Sequence, residues 1–153
     1  MTTTDDRRFL IDSNILVYSV DPSNAVKQRR SLETFRLLAR SSRGVLSVQV
    51  LGEFFRASTQ RIAQRLAPVE AEARMLDFVE ALPVYETTPA AALEGARGVR
   101  LHKLSYWDAV IWATAKFNEV PFLLSEDMGN GRLIEGVRIL NPLLPSFDMS
   151  LLA

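Results

Sequence analysis

The sequence has no cysteine and only one histidine, His102, in 153 residues. The first absence excludes disulfides and thiolate-bound metal, and it fits a reducing compartment. The second argues against a histidine-built zinc site and against a Ser-His-Asp triad. Long apolar runs are missing as well: none approaches the ~20 residues that cross a bilayer. Residues 1–6, Met-Thr-Thr-Thr-Asp-Asp, lack the basic-then-apolar order of a secretion signal, so a cytoplasmic protein with no membrane partner is expected. Nor is there an excess of charge, since 18 Lys and Arg balance 18 Asp and Glu. The chemistry left open is that of oxygen ligands.

That balance hides an asymmetry. Residues 1–65 hold eleven Lys and Arg against six Asp and Glu, and residues 66–153 hold seven against twelve. The basic arc of the first half (Lys27, Arg29, Arg30, Arg36, Arg40, Arg43, Arg56, Arg61, Arg65) suits a phosphate backbone, and it equally suits solvated helix faces. The chain is long enough for a substantial core, and neither a linker nor a repeat divides it. One domain is expected over residues 1–153, with a core from about 7 to 142 and an apolar tail from 143 to 153.

Apolar runs without polar alternation mark strands buried on both faces. Phe9-Leu10-Ile11, Val45-Leu46-Ser47, Phe122-Leu123-Leu124 and Val137-Arg138-Ile139-Leu140 read as such strands, with a weak one at Pro83-Val84-Tyr85. Between them the pattern predicts a short helix after Asn14, capped by Ser13 or Asn14, and further helices over 25–41, 48–64, 69–82, 89–100 and 106–118. Val26, Leu32, Phe35 and Leu38 form the inner face of the 25–41 helix, Gly44 stops it, and Gly95 and Gly98 loosen the 89–100 helix. Strands alternating with helices imply an α/β fold, a three-layer α/β/α sandwich around a central, mainly parallel sheet.

Sites in such sheets form beyond the carboxyl ends of the strands. Asp12 follows the first strand directly, and Ser125-Glu126-Asp127 follows Phe122-Leu123-Leu124. Asp108 shares a helical face with Ile111, Trp112 and Ala115, and Glu53 sits one turn into its helix between Val50 and Ala57. Each has an ordinary explanation: Ser105-x-x-Asp108 also fits a capping box, and Glu53 an exposed helix glutamate. Together, four bare acids at one sheet edge would repel one another, and a hard divalent cation removes that penalty. Such a site suits hydrolysis of a phosphodiester. Ser13 and Asn14 orient a ligand or water there, or simply form the turn. Trp107 and Trp112 read as packing residues beside the apolar stripe, and His102 as a loop or helix-end residue.

At these residues the sequence resembles the PIN-domain ribonucleases, and among them the VapC-type toxins of bacterial toxin–antitoxin pairs. The likeness rests on Phe9-Leu10-Ile11-Asp12-Ser13-Asn14, Gln49-Val50-Leu51-Gly52-Glu53-Phe54-Phe55, Leu104-Ser105-Tyr106-Trp107-Asp108-Ala109 and Leu124-Ser125-Glu126-Asp127-Met128. The resemblance implies an endoribonuclease dependent on Mg²⁺ or Mn²⁺ that cuts single-stranded or structured RNA, such as tRNA or rRNA. Asp12 and Asp108 match the family's main metal-binding aspartates, Glu53 its helix glutamate and Asp127 its fourth acid, with Glu126 beside that position. It also implies a homodimer and a small antitoxin, for which Val48 to Phe55 and the helix from Ala25 offer contacts. One of the adjacent Phe54 and Phe55 would then line a dimer or antitoxin surface. The rival reading is a non-catalytic RNA-binding or protein-interaction module with the same fold. An aspartyl-phosphate phosphatase fits less well, because Asn14 stands where its second acid is needed.

Overall fold

The computed structural model describes residues 6–153. The reading of residues 1–6 as carrying no leader therefore lies, apart from Asp6, outside the described residues. Six strands, β1 (Phe9–Ile11), β2 (Gly44–Ser47), β3 (Val84–Tyr85), β4 (Phe122–Leu124), β5 (Leu133–Ile134) and β6 (Val137–Leu140), form one sheet in the order β3-β2-β1-β4-β6-β5. All neighbours pair in parallel except β5, which runs antiparallel to β6. The helices are α1 (Ser13–Ser19), α2 (Ala25–Ser41), α3 (Val48–Gln60), α4 (Pro68–Ala81), α5 (Pro89–His102) and α6 (Tyr106–Phe117), followed by a short 3₁₀ turn, Met149–Leu152. The chain steps outward from β1 to β2 and β3, then returns past β1 to β4. With right-handed crossovers this reversal puts α1–α4 on one face of the sheet and α5–α6 on the other. The sheet is therefore covered on both sides, which is why β1 and β2 are fully buried along their length.

The strand reversal also defines where a site can lie. β1 and β4 are neighbours, Ile11 pairs with Leu124, and their carboxyl ends open side by side at the switch point. Among the described residues, no helix is long and apolar enough to cross a membrane.

Several local expectations change once packing is seen. α2 ends at Ser41, with Ser42 in the left-handed region (φ 59°), and Gly44 belongs to β2. Glycine is needed there because a Cβ would stand 2.9 Å from Leu38 Cβ. The buried row of α2 is Ser31, Thr34 and Leu38, while Val26 and Leu32 are exposed. Gly95 and Gly98 do not loosen α5: a Cβ at Gly95 would lie 2.7 Å from Val110 Cγ2, and one at Gly98 3.0 Å from the Trp112 ring. They let α5 press against α6. The β5–β6 hairpin was not visible as a pair of strands, because its turn places Glu135 as well as Gly136 at positive φ (45° and 88°). Arg97, His102 and Lys116 hold the Glu135 carboxylate in place.

The residues after Pro142 have no period because side chains of α2 hold their backbone. Arg30 Nε donates to the Pro142 carbonyl at 2.8 Å, the Ser41 hydroxyl donates to that of Leu152 at 2.9 Å, and Leu152 is buried in the core.

Candidate active site

Asp12 leaves β1 at the centre of the sheet and is only 5% exposed. Its backbone N–H continues the ladder to the Leu124 carbonyl at 2.9 Å. Its side chain does two things. Oδ1 accepts the Ser13 N–H at 2.7 Å, so Asp12 itself caps α1, in place of the expected Ser13 or Asn14. Oδ2 accepts the Ser125 hydroxyl at 2.7 Å, a buried bond between the ends of the two neighbouring strands. Ser125 was not singled out from sequence. The signal was the β1–β4 alignment, which pairs Ile11 with Leu124 and so puts the next residues of both strands side by side.

Asn14 ties the second acid to the first. Its Nδ2 lies 3.4 Å from Asp12 Oδ2 and donates to Asp127 Oδ2 at 3.0 Å, while the Asp127 N–H donates to Ser125 Oγ at 3.2 Å. Glu126 turns away and pairs with Lys27 of α2. The two adjacent acids are thus sorted: Asp127 faces Asn14 and Asp12, and Glu126 joins the basic helix. The bend over residues 126–128 that follows β4 produces that divergence.

Glu53 and Asp108 arrive on helices. Glu53 is half-buried on α3, behind the Ser47 cap that accepts the Val50 N–H at 3.3 Å. Its Oε1 is buried and has no hydrogen-bond partner, and Gln49 Oε1, one turn earlier on the same face, is orphaned too. The Gln49 amide is committed elsewhere, donating to the Trp107 carbonyl at 2.9 Å. Asp108 is half-buried in the first turn of α6, whose Ser105 cap makes no side-chain bond to the helix backbone. The capping box is therefore not formed. The Ser105 hydroxyl bears on the Asp108 carboxylate instead.

The electrostatics link these groups. Burial pushes Asp12 up to about 7, the Ser125 hydroxyl opposes the rise, and the charges of Asp108 and Glu53 add to it. Burial also raises Glu53, against the Gln49 side chain and with the Asp108 charge reinforcing it, and raises Asp108, against the Ser105 hydroxyl and with the Asp127 charge reinforcing it. Four carboxylates are thus coupled through a shared field. An all-oxygen donor set containing an orphaned, buried Glu53 oxygen has the chemistry a hard divalent cation satisfies. Among the described residues, however, no three such side chains are gathered closely enough to hold an ion as they stand. Asp12 is spent on its hydroxyl and amide donors, so holding an ion would require side chains here to rearrange.

A cleft of about 490 Å³ opens from Glu53, lined by Ser13, Val48, Gln49, Arg56, Arg61 and Trp107 among others. Here the two tryptophans part. Trp112 is fully buried and donates from Nε1 to the Ile134 carbonyl at 3.0 Å, as a packing residue should. Trp107 is 58% exposed and lines the cleft instead. The basic arc divides as well: Lys27 and Arg30 are engaged within the fold, while Arg56 and Arg61 line this cleft.

A family model for the PIN domain matches residues 9–129. Among solved structures, VapBC of Salmonella typhimurium bound to DNA is similar at 20% identity and a TM-score of 0.63, covering 89% of this chain and 98% of that one. VapC20 of Mycobacterium tuberculosis, a sarcin–ricin loop cleaving toxin, is similar at 17% identity and a TM-score of 0.63, covering 83% and 97%. A toxin–antitoxin complex of Klebsiella pneumoniae is similar at 18% identity and a TM-score of 0.60, covering 87% and 96%. At such identities the likeness is one of fold. No curated protein matches the sequence.

Proposed function

This chain belongs to the PIN domain family, and from that premise we propose that it is a metal-dependent endoribonuclease, the VapC-type toxin of a toxin–antitoxin pair. The observation that supports the reading is the electrostatic coupling of Asp12, Glu53, Asp108 and Asp127, three of which are raised by burial and by one another's charge. Asp12 and Asp108, with Glu53 and Asp127 directly or through water, would hold Mg²⁺ or Mn²⁺. When bound, such a cation neutralises the acids and polarises a phosphoryl oxygen.

The chain's own groups supply the rest. The Ser125 hydroxyl and Ser13 N–H anchor the Asp12 carboxylate at the end of β1, and both are donors that a bound cation would have to share or displace. Asn14 holds Asp127 in register with Asp12. Glu53, whose Oε1 has no hydrogen-bond partner and whose carboxyl is raised by burial, takes the proton of the attacking water. Arg56 and Arg61, on the cleft wall, face the phosphates of the RNA strand.

A small antitoxin completes the reading, since the Salmonella and Klebsiella fold neighbours are VapBC or toxin–antitoxin complexes. Its seat would be α2 and the Val48 to Phe55 segment, where Leu32 and Val48 are exposed and a groove of about 620 Å³ separates α2 from α4. A cytoplasmic homodimer acting on tRNA or rRNA belongs to the same proposal.

The test is cleavage of total RNA by the purified protein with Mg²⁺ or Mn²⁺, with chelator as control. Activity should disappear in Asp12→Asn while circular dichroism stays unchanged. If wild type and variant bind RNA alike and neither cuts it with either metal, the chain is a non-catalytic binding module.

A further inference from the structure

We infer that Trp107 is a base-stacking platform: the cleft beside the acids takes an unpaired ribonucleotide whose base lies on the Trp107 ring. This deepens the nuclease reading and rests on it. Three independent features of the cleft point the same way.

First, the ring is open on the face of α6 turned away from the buried stripe. Its neighbour along α6, Trp112, is fully enclosed, whereas Trp107 leaves 58% of its surface to solvent. Its open face lies in the cleft with Glu53, and a base offers it a flat apolar partner. Second, the ring is braced. Tyr106 meets it edge to face, with centroids 5.0 Å apart at 66°, and the Tyr106 hydroxyl donates to the Ala92 carbonyl at 3.4 Å. Gln49 reaches across from α3 to donate to the Trp107 carbonyl at 2.9 Å. The Gln49 bond fixes the backbone of this turn and the Tyr106 contact steadies the ring, so the platform loses little freedom when a base lands on it. Third, the cleft that Trp107 lines has complementary charge: Arg56 and Arg61 stand exposed in its lining with Glu53. A base on Trp107 and phosphates toward the two guanidiniums would run a single strand past the carboxylates. A duplex has its bases stacked on one another and offers no free face to the ring, so unpaired RNA is the substrate class.

The experiment uses the full chain carrying Asp12→Asn, which removes cleavage, with labelled randomised single-stranded 12-nucleotide RNA and its duplex as probes. Fluorescence anisotropy reads affinity, and tryptophan emission reads the exposed ring. The single strand should quench the exposed tryptophan and bind more tightly than the duplex. Trp107→Ala should weaken single-strand binding about tenfold or more, and Trp107→Phe should restore most of it, because any flat ring can stack. In the active background, Trp107→Ala should raise KM with kcat nearly unchanged.

Equal affinity of Trp107→Ala and its parent for the single strand overturns the proposal. So does a change of oligomeric state in Trp107→Ala by light scattering, which would make this face an interface between copies of the chain. The nuclease reading fails separately: RNA quenching of Trp107 without any metal-dependent cleavage by wild type would leave the platform standing on a protein that does not cut.

Discussion

Removing the charge of Asp12 should stabilise the metal-free protein at alkaline pH and not at acid pH. Asp12 titrates near 7 in the fold, against 3.8 for an ordinary aspartate. Between those two values the unfolded chain gives up the proton first, so it binds fewer protons than the native state and stability falls as pH rises through the window. A shift of about three units at ~1.4 kcal/mol each makes the ionised group cost about 4 kcal/mol above the window. Asp12→Asn removes that cost. It also weakens two bonds, from the Ser13 N–H and the Ser125 hydroxyl, each worth about 1 kcal/mol once the acceptor is neutral. The net gain is therefore about 2 kcal/mol at about pH 8.5, turning into a loss of about 1–2 kcal/mol at about pH 4, where wild-type Asp12 is already neutral. Urea unfolding of both proteins in EDTA at the two pH values reads the difference. Saturating Mg²⁺ should then reverse the alkaline result, because a site held at 100 times its Kd adds about 2.7 kcal/mol to the wild type alone. A variant less stable than wild type in EDTA at alkaline pH would refute the reasoning. So would a difference that does not change with pH.

Ser125→Ala should cost about 1–2 kcal/mol above pH ~7, and less in acid, because the hydroxyl is the main group holding the Asp12 charge down; the same substitution should move the acid limb of RNA cleavage to higher pH. Gly95→Ala should destabilise by about 1–3 kcal/mol through the clash with Val110, whereas Gly52→Ala on α3, where a Cβ meets nothing within 4 Å, should gain about 0.5–1 kcal/mol; thermal unfolding separates the two. Glu135 is depressed to about 2 by Arg97 and then His102, so its contribution is present above the ordinary glutamate range and fades as pH falls through about 2. With its side chain 30% exposed, Glu135→Gln should cost only about 1 kcal/mol at neutral pH, vanishing in acid titrations followed by circular dichroism.

Local pattern carried much of this molecule. Short uninterrupted apolar runs such as Phe9-Leu10-Ile11, bounded by polar residues, read as strands covered on both faces, and the spacing of Asp108 with Ile111, Trp112 and Ala115 fixes a buried helix face. Both follow from periods of two and 3.6 residues, which neighbours along the chain determine. The same reasoning put Asp12, Glu53, Asp108 and Asp127 near the ends of elements at one sheet edge. What it could not supply was contact between residues a hundred positions apart. Only the β1–β4 register brings the Ser125 hydroxyl onto Asp12, and only the turn after β4 sends Glu126 to Lys27 and Asp127 to Asn14. Only the close approach of α5 and α6 explains why Gly95 and Gly98 are glycines. The two tryptophans show the boundary most clearly. Five residues apart on one helix, Trp107 and Trp112 point about 140° from each other around its axis. Periodicity could say that they face differently, but which one meets the sheet and which one meets the cleft was decided by where α6 lands.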